Sequence, residues 1–246
     1  MLSESGSRKT DALLPDLRSQ KLLHETLMAG SASSDGAQEL ESEVQTGYQW
    51  SRTESAAFER ILGSPVSFSV LGQSLQESRT TVEVNSWRTP ARVLVDVNLF
   101  VGDMEHAKNV WMLRRHRIAA VVNVSTKRLL DDRYRSTPRK LVEAGIAQLL
   151  LHAEDGWDFD IIPVMERAME FIWRVLEKSN GGVLVCCDSG MNRSGAVCTG
   201  YLTQRLHMPL CMAIEQLRNV KRSALRNPEF IKQLILYCSA HGLPLQ

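Results

Sequence analysis

Apolar residues follow two rhythms along this chain, and from about residue 91 onward those rhythms alternate. Val93 to Val101 (VLVDVNLFV) reads as a pair of strands or one bent strand, stopped by Gly102. Asp103 stands where a helix cap is needed, and Met104, Ala107, Val110, Trp111 and Arg114 keep a helical register to about His116. Ile118 to Val124 (IAAVVNV) is apolar without interruption, which predicts a strand in the middle of a sheet covered on both faces. Thr137-Pro138 opens a short helix that Gly145 closes, and Ile146 to Leu151 reads as another buried strand. Asp160 is the expected cap of a long helix to about Lys178, stopped by Asn180-Gly181-Gly182 before a strand over Val183 to Val185. Helices follow at about 195–206 and 210–219, and a last one opens with Asn227 as cap and Pro228 at its first position, running to about Ser239. Strands alternating with helices predict an α/β fold: a central, mostly parallel sheet flanked by helices.

The first 90 residues are softer. Ser31 to Gln38 (SASSDGAQ) reads as a linker, and Asp16 to Met28 as either one amphipathic helix or part of a poorly ordered tail. Thr53 can cap a helix to Leu62, with Ala57, Phe58, Ile61 and Leu62 as its stripe and Gly63 at its end. Val66 to Leu71 and Thr80 to Val84 are strand-like. The expected organisation is a flexible acidic extension over 1–50, a partly structured segment over 51–90 that packs on the body, and the body itself over 91–246. Charge supports that division. Residues 1–87 carry 7 Lys/Arg against 12 Asp/Glu, whereas the remainder has a net charge of +6.

Composition then excludes several classes. With 43% hydrophobic and 23% charged residues the chain has a globular make-up, and no apolar run is long enough to span a membrane. With no apolar signal core in the opening MLSESGSRKTDALLPDL, and with Leu2 where myristoylation needs glycine, neither secretion nor N-myristoylation is expected. The five cysteines (186, 187, 198, 211 and 238) include no CxxC pair, which argues against a disulfide framework and against zinc. A reducing compartment fits, so the expected location is the cytoplasm, with the nucleus as the alternative. A body charge of +6 suits a phosphorylated ligand and is too small to argue for nucleic acid.

The candidate chemistry lies in VLVCCDSGMNRSG, residues 183–195. A strand that turns into a helix through a short loop directs backbone N–H groups inward, and the helix N-terminus adds positive potential, making an anion cradle. The candidate binding residues are Asp188, Ser189, Gly190, Met191, Asn192 and Arg193, whose planar fork can hold phosphate oxygens bidentately. Cys187 stands at the strand end, in a field that favours the thiolate and so a nucleophile. Ser194 can hydrogen-bond it and assist its departure. The plainer reading is a core strand ending in two buried cysteines, with a surface arginine nearby.

This Cys-x5-Arg-Ser loop resembles the motif His-Cys-x-x-Gly-x-x-Arg-Ser/Thr of the cysteine-dependent protein tyrosine phosphatase superfamily, specifically its dual-specificity branch. Cys187, Gly190, Arg193 and Ser194 match, and Cys186 replaces the histidine. The likeness covers about 91–240, with NLFVGDMEHAKN similar to the family's entry strand and first helix and NPEFIKQLILY to its closing helix. It implies a tyrosine-phosphatase-like fold, a catalytic domain over 91–246, no cofactor or metal, and a phosphorylated protein as substrate. It also implies an acid in the loop HAEDGWDFD, where the register selects Asp155, 32 residues before Cys187. Asp160 is better explained as a helix cap and Asp158 as a solvated charge.

Without the histidine, Cys187 is expected to be less activated, and Cys186 itself to be an inert core residue. Asp188 in the cradle, with no lysine beside it, argues against inositol lipids. Two rival readings stay open: an RNA 5′-triphosphatase, which GMNRSG resembles, and a phosphate-binding scaffold without turnover. Asp155 favours a phosphoprotein phosphatase.

Overall fold

The computed structural model describes residues 50–63, 89–94, 96–125 and 132–246. The expected helix over 16–28, the linker over 31–38 and the strands over 66–71 and 80–84 lie outside them. The chain divides into two compact units, Met1–Ser51 and Arg52–Gln246, and every described helix and strand belongs to the second.

That unit opens with α1 (Arg52–Gly63) and then β1 (Ala91–Arg92), β2 (Leu99–Asp103), α2 (Met104–Lys108), α3 (Val110–Arg115) and β3 (Ile118–Asn123). Next come α4 (Asp132–Arg135), α5 (Thr137–Glu143), β4 (Ala147–Leu150), α6 (Ile162–Lys178) and β5 (Gly182–Cys187). It closes with α7 (Asn192–Leu206), α8 (Leu210–Val220) and α9 (Pro228–Ala240). The five strands run in the order β1-β2-β5-β3-β4; only β1 is antiparallel to its neighbour. This is the mostly parallel, helix-flanked sheet that the alternation predicts.

β5 is the centre. All six of its residues are buried, because helices cover both faces. On one face Leu184 and Cys186 join Phe100, Val121, Met104, Met112 and Leu113 in a core roofed by α2, α3 and α5. The opposite face meets α6 and α7. Helix α7 is buried from Arg193 through Thr203, since α6, α8 and α9 surround it on the sides the sheet leaves open. Gly200 allows α6 to approach: a Cβ there would stand 2.3 Å from Met165 Sδ. At the other end, α1 packs on α8 and α9, burying Ala57 and Ile61.

Several boundaries differ from the sequence reading, each for a local reason. The stretch 93–101 holds neither one bent strand nor a pair of its own. Strand β1 precedes it, the Val93 N–H reaches back to the Leu99 carbonyl at 2.8 Å, and β2 runs on through Gly102 to Asp103. The helix expected from Asp103 to His116 breaks at Asn109, whose side chain accepts from the Met112 N–H at 3.1 Å and caps a second helix. Strand β4 is not buried, because it forms the sheet edge and its ends are exposed. Asp160 accepts from the Ile162 N–H at 3.0 Å, but the cap position of α6 falls on Ile161. Helix α1 starts at Arg52, which puts Thr53 inside its first turn instead of at its cap.

Leu184, fully buried at the middle of the central strand, touches the roof from below. Leu184→Ala is expected to cost about 2–5 kcal/mol, read as a lowered urea midpoint with unchanged slope.

Candidate active site

Four parallel strands deliver their carboxyl ends to one edge of the sheet, where α/β folds keep their sites. The edge carries Asp103 from β2, Cys187 from β5, Ser125 just past β3, and the segment 151–161 that follows β4. Asp103 and Cys187 are register partners.

From Cys187 the chain turns through Asp188–Met191 and enters α7 at Asn192, slightly earlier than the predicted start. Gly190 makes the turn possible. Its φ is +67°, and a Cβ there would lie 2.4 Å from the Gly102 carbonyl oxygen. Among the described residues, nothing accepts a hydrogen bond from the backbone N–H groups of Ser189, Gly190 or Met191. These donors, with those of the first turn of α7, remain for a ligand.

Cys187 is buried, with its Sγ 3.3 Å from the Ser194 Oγ. Arg193, also buried, is fixed on three sides: Nη1 donates to Ser125 Oγ (3.0 Å) and to the Ala153 carbonyl (3.1 Å), and Nη2 donates to Asp188 Oδ2 (2.8 Å). Its Nε is buried and has no partner among the described residues. Ser125 completes the frame by donating to Asp188 Oδ1 at 2.6 Å. Both Asp188 oxygens are thus engaged, one by Ser125 and one by Arg193, and they orient the arginine.

Asp155 comes to the same loop. Asn192 Nδ2 donates to its two oxygens at 3.2 and 3.0 Å, and Asn227 Nδ2 donates to Oδ1 at 3.1 Å. The Asn192 Oδ1 accepts the N–H groups of Arg226 (2.7 Å) and Asn227 (3.1 Å), which fixes the amide's orientation. Asn192 is thus turned toward Asp155 and the start of α9. Gln233 ties down the far end of the loop after β4, accepting from the Ile161 N–H at 2.9 Å and donating to the Phe159 carbonyl at 3.0 Å. Glu154 lies instead beside His152, at 3.3 Å.

Beneath the loop, His106 Nδ1 stands 2.6 Å from Asp103 Oδ1 in a capping box. Burial of Asp103 pushes its carboxyl up, but the hydrogen bonds and charge of His106 outweigh that and hold it below the usual range. Cys186 faces the apolar roof. Burial, with the negative charges of Cys187, Asp103 and Asp188, pushes its thiol well up, as expected of an inert core cysteine. Burial does the same to Cys198.

Sequence reasoning missed Ser125, the Ala153 carbonyl, Gln233, His106 and the second role of Asn227. Only Ser125 carried a signal: a small polar residue directly after a two-sided buried strand, on the carboxyl edge. Among the described residues no group of three or more His, Cys, Asp or Glu could hold a metal ion.

The model of the dual specificity phosphatase catalytic domain matches residues 99–240. Human dual specificity protein phosphatase 26 is 34% identical over 137 residues, 56% of this chain and 62% of that protein. The chain therefore spans less than two thirds of that relative. Human dual specificity phosphatase 28 is 32% identical over 151 residues, 60% of this chain and 78% of that one. The crystal structure of human DUSP28 superposes with a TM-score of 0.53 at 26% identity, covering 62% of this chain and 95% of that one. A mouse putative dual specificity phosphatase complexed with zinc tungstate gives 0.52 at 27% identity, over 63% and 91%.

Two outcomes follow from this geometry. Gly190→Ala drives a methyl group into the Gly102 carbonyl, so calorimetry should find inorganic phosphate bound at least about tenfold more weakly. Asp103, with its folded pKa depressed, contributes stability that is present above its unfolded pKa and lost as pH falls through the folded value. Asp103→Asn should therefore flatten the acid limb of a stability-versus-pH curve, measured by urea unfolding.

Proposed function

Because the chain belongs to the dual specificity phosphatase family, we propose that it hydrolyses phosphotyrosine and phosphoserine or phosphothreonine in proteins through a cysteinyl-phosphate intermediate. The observation that carries this reading is that Asp155, from a loop 32 residues upstream, is held by Asn192 against the same loop that carries Cys187 and Arg193.

In the first step the Cys187 thiolate attacks phosphorus in line with the ester oxygen. The S–P bond forms as the P–O bond breaks, and Asp155 gives its proton to the departing alkoxide or phenoxide. Loop N–H groups and Arg193, which the Ser125–Ala153–Asp188 frame holds in orientation, bind the non-bridging oxygens as their charge redistributes. Asp155, now a carboxylate, removes a proton from the attacking water, the S–P bond breaks, and phosphate and the thiolate are released. Ser194 Oγ, 3.3 Å from Sγ, donates to the leaving sulfur and stabilises it as a thiolate.

The five free cysteines and a thiolate nucleophile fit a reducing compartment, the cytoplasm or the nucleus. No described helix is long and apolar enough to cross a membrane. A phosphorylated protein is the partner this site suits.

The test is turnover of p-nitrophenyl phosphate and of a phosphoserine peptide over pH 5 to 8 with reductant present. Cys187→Ser should abolish both. Asp155→Ala should lower phosphoserine turnover by about 10²–10⁴-fold and aryl turnover less, because nitrophenolate departs without a proton. Turnover that survives Cys187→Ser would sink the proposal.

A further inference from the structure

Arg218 on α8 is half-buried and directs all three of its nitrogens at backbone carbonyls. Nη1 donates to Ile61 at 2.8 Å, Nη2 to Leu225 at 2.7 Å and Nε to Ala224 at 3.4 Å. No described carboxylate pairs with it. Burial and the nearby Arg226 bring its pKa down to about 10, so it remains a cation at neutral pH. A guanidinium used this way acts as a three-way tie between chain segments.

The segments it ties are not equivalent. Ile61 is in the last turn of α1, outside the 99–240 span that matches the family. Ala224 and Leu225 belong to the turn between α8 and α9. Leu225 has φ of +48°, a left-handed conformation that a leucine adopts only when its surroundings impose it, and its side chain is fully buried. That turn is the back wall of the phosphate loop: the Leu225 N–H donates to the Met191 carbonyl at 3.2 Å, and the next two N–H groups hold Asn192 Oδ1. Through Asn192 and Asn227 the same turn holds Asp155.

We propose that Arg218 is a positioning residue that clamps α1 to the strained 224–225 turn, and thereby sets both the shape of the phosphate loop and the place of Asp155. Helix α1 is on this account a working part of the phosphatase unit. The proposal rests on reading the 187–193 loop as a phosphate site, and its test separates the two.

Three variants of the full chain decide it. Arg218→Met keeps the aliphatic stem and removes every donor, Arg218→Lys keeps the charge with a single ammonium, and Ala57→Asp puts a carboxylate on the buried face of α1 to detach it. Inorganic phosphate affinity is read by calorimetry, amide exchange at Leu225 and Arg226 by NMR, and folding by far-UV circular dichroism. Arg218→Met and Ala57→Asp should each weaken phosphate binding by about tenfold and accelerate both amides, and the double variant should be no weaker than the worse single one. Arg218→Lys should fall between wild type and Arg218→Met. In turnover, Arg218→Met should lower kcat on phosphoserine more than on p-nitrophenyl phosphate, because it displaces the proton donor. A folded Arg218→Met with wild-type affinity and wild-type exchange overturns the clamp. If Arg218→Met does not fold, the other two variants decide by the same readouts. If the wild type binds no phosphate, the phosphatase reading falls, and amide exchange alone judges the clamp.

Discussion

A buried guanidinium needs partners for its donors, and those that Arg193 finds come from three strand ends. Asp188 follows β5, Ser125 follows β3, and the Ala153 carbonyl follows β4. These groups converge only because the strands are parallel and end at a common level. A shift of β3 by one residue would turn Ser125 to the opposite side. The apolar two-sided interior of the sheet thus fixes where a polar arginine can sit, and the arginine in turn fixes the ligand-facing end of the loop. The Nε donor, which has no partner among the described residues, is left for what the loop binds.

The features readable from sequence share a physical character: they are contiguous. Strands β3 and β5 are legible because burial on both faces leaves unbroken apolar runs, and the loop is legible because Cys187, Gly190, Arg193 and Ser194 span eight residues. Strand β4 has a comparably apolar run, interrupted only by Gln148, and too little else local distinguishes an edge strand from a central one. The break at Asn109 stayed hidden because the apolar register continues through it, while the capping bond depends on a backbone turn the register does not encode. Ser125, Gln233 and Arg218 act across 68, 72 and 157 residues of chain. Contacts of that separation leave no periodicity to read. Asp155 stands between these cases, since its loop was recognisable but its hold on Asn192 and Asn227 was not.

Cys186 and Cys187 illustrate how alternation along a strand separates neighbours. Side chains of successive residues point to opposite faces, so Cys186 enters the apolar roof while Cys187 reaches the loop with Ser194. Burial makes the first an inert thiol, and the two cannot meet as a vicinal pair without unmaking the strand. Beside them the Asp103–His106 couple keeps a carboxylate ionised at the register position next to Cys187, with an imidazole in contact with that charge.

The loop after β4 is held at Ala153 by Arg193, at Asp155 by two asparagine amides, and at Phe159 and Ile161 by Gln233. A segment fastened at that many points has already surrendered its conformational entropy in the free protein. If the site acts as proposed, an arriving phosphoester would meet a loop already in place, and little of its binding energy would be diverted into ordering protein. The converse is a limit on discrimination. A loop fixed in advance would not reject a wrong substrate by failing to close, so on the proposed function selectivity among phosphoproteins would come from surfaces beyond the phosphate itself.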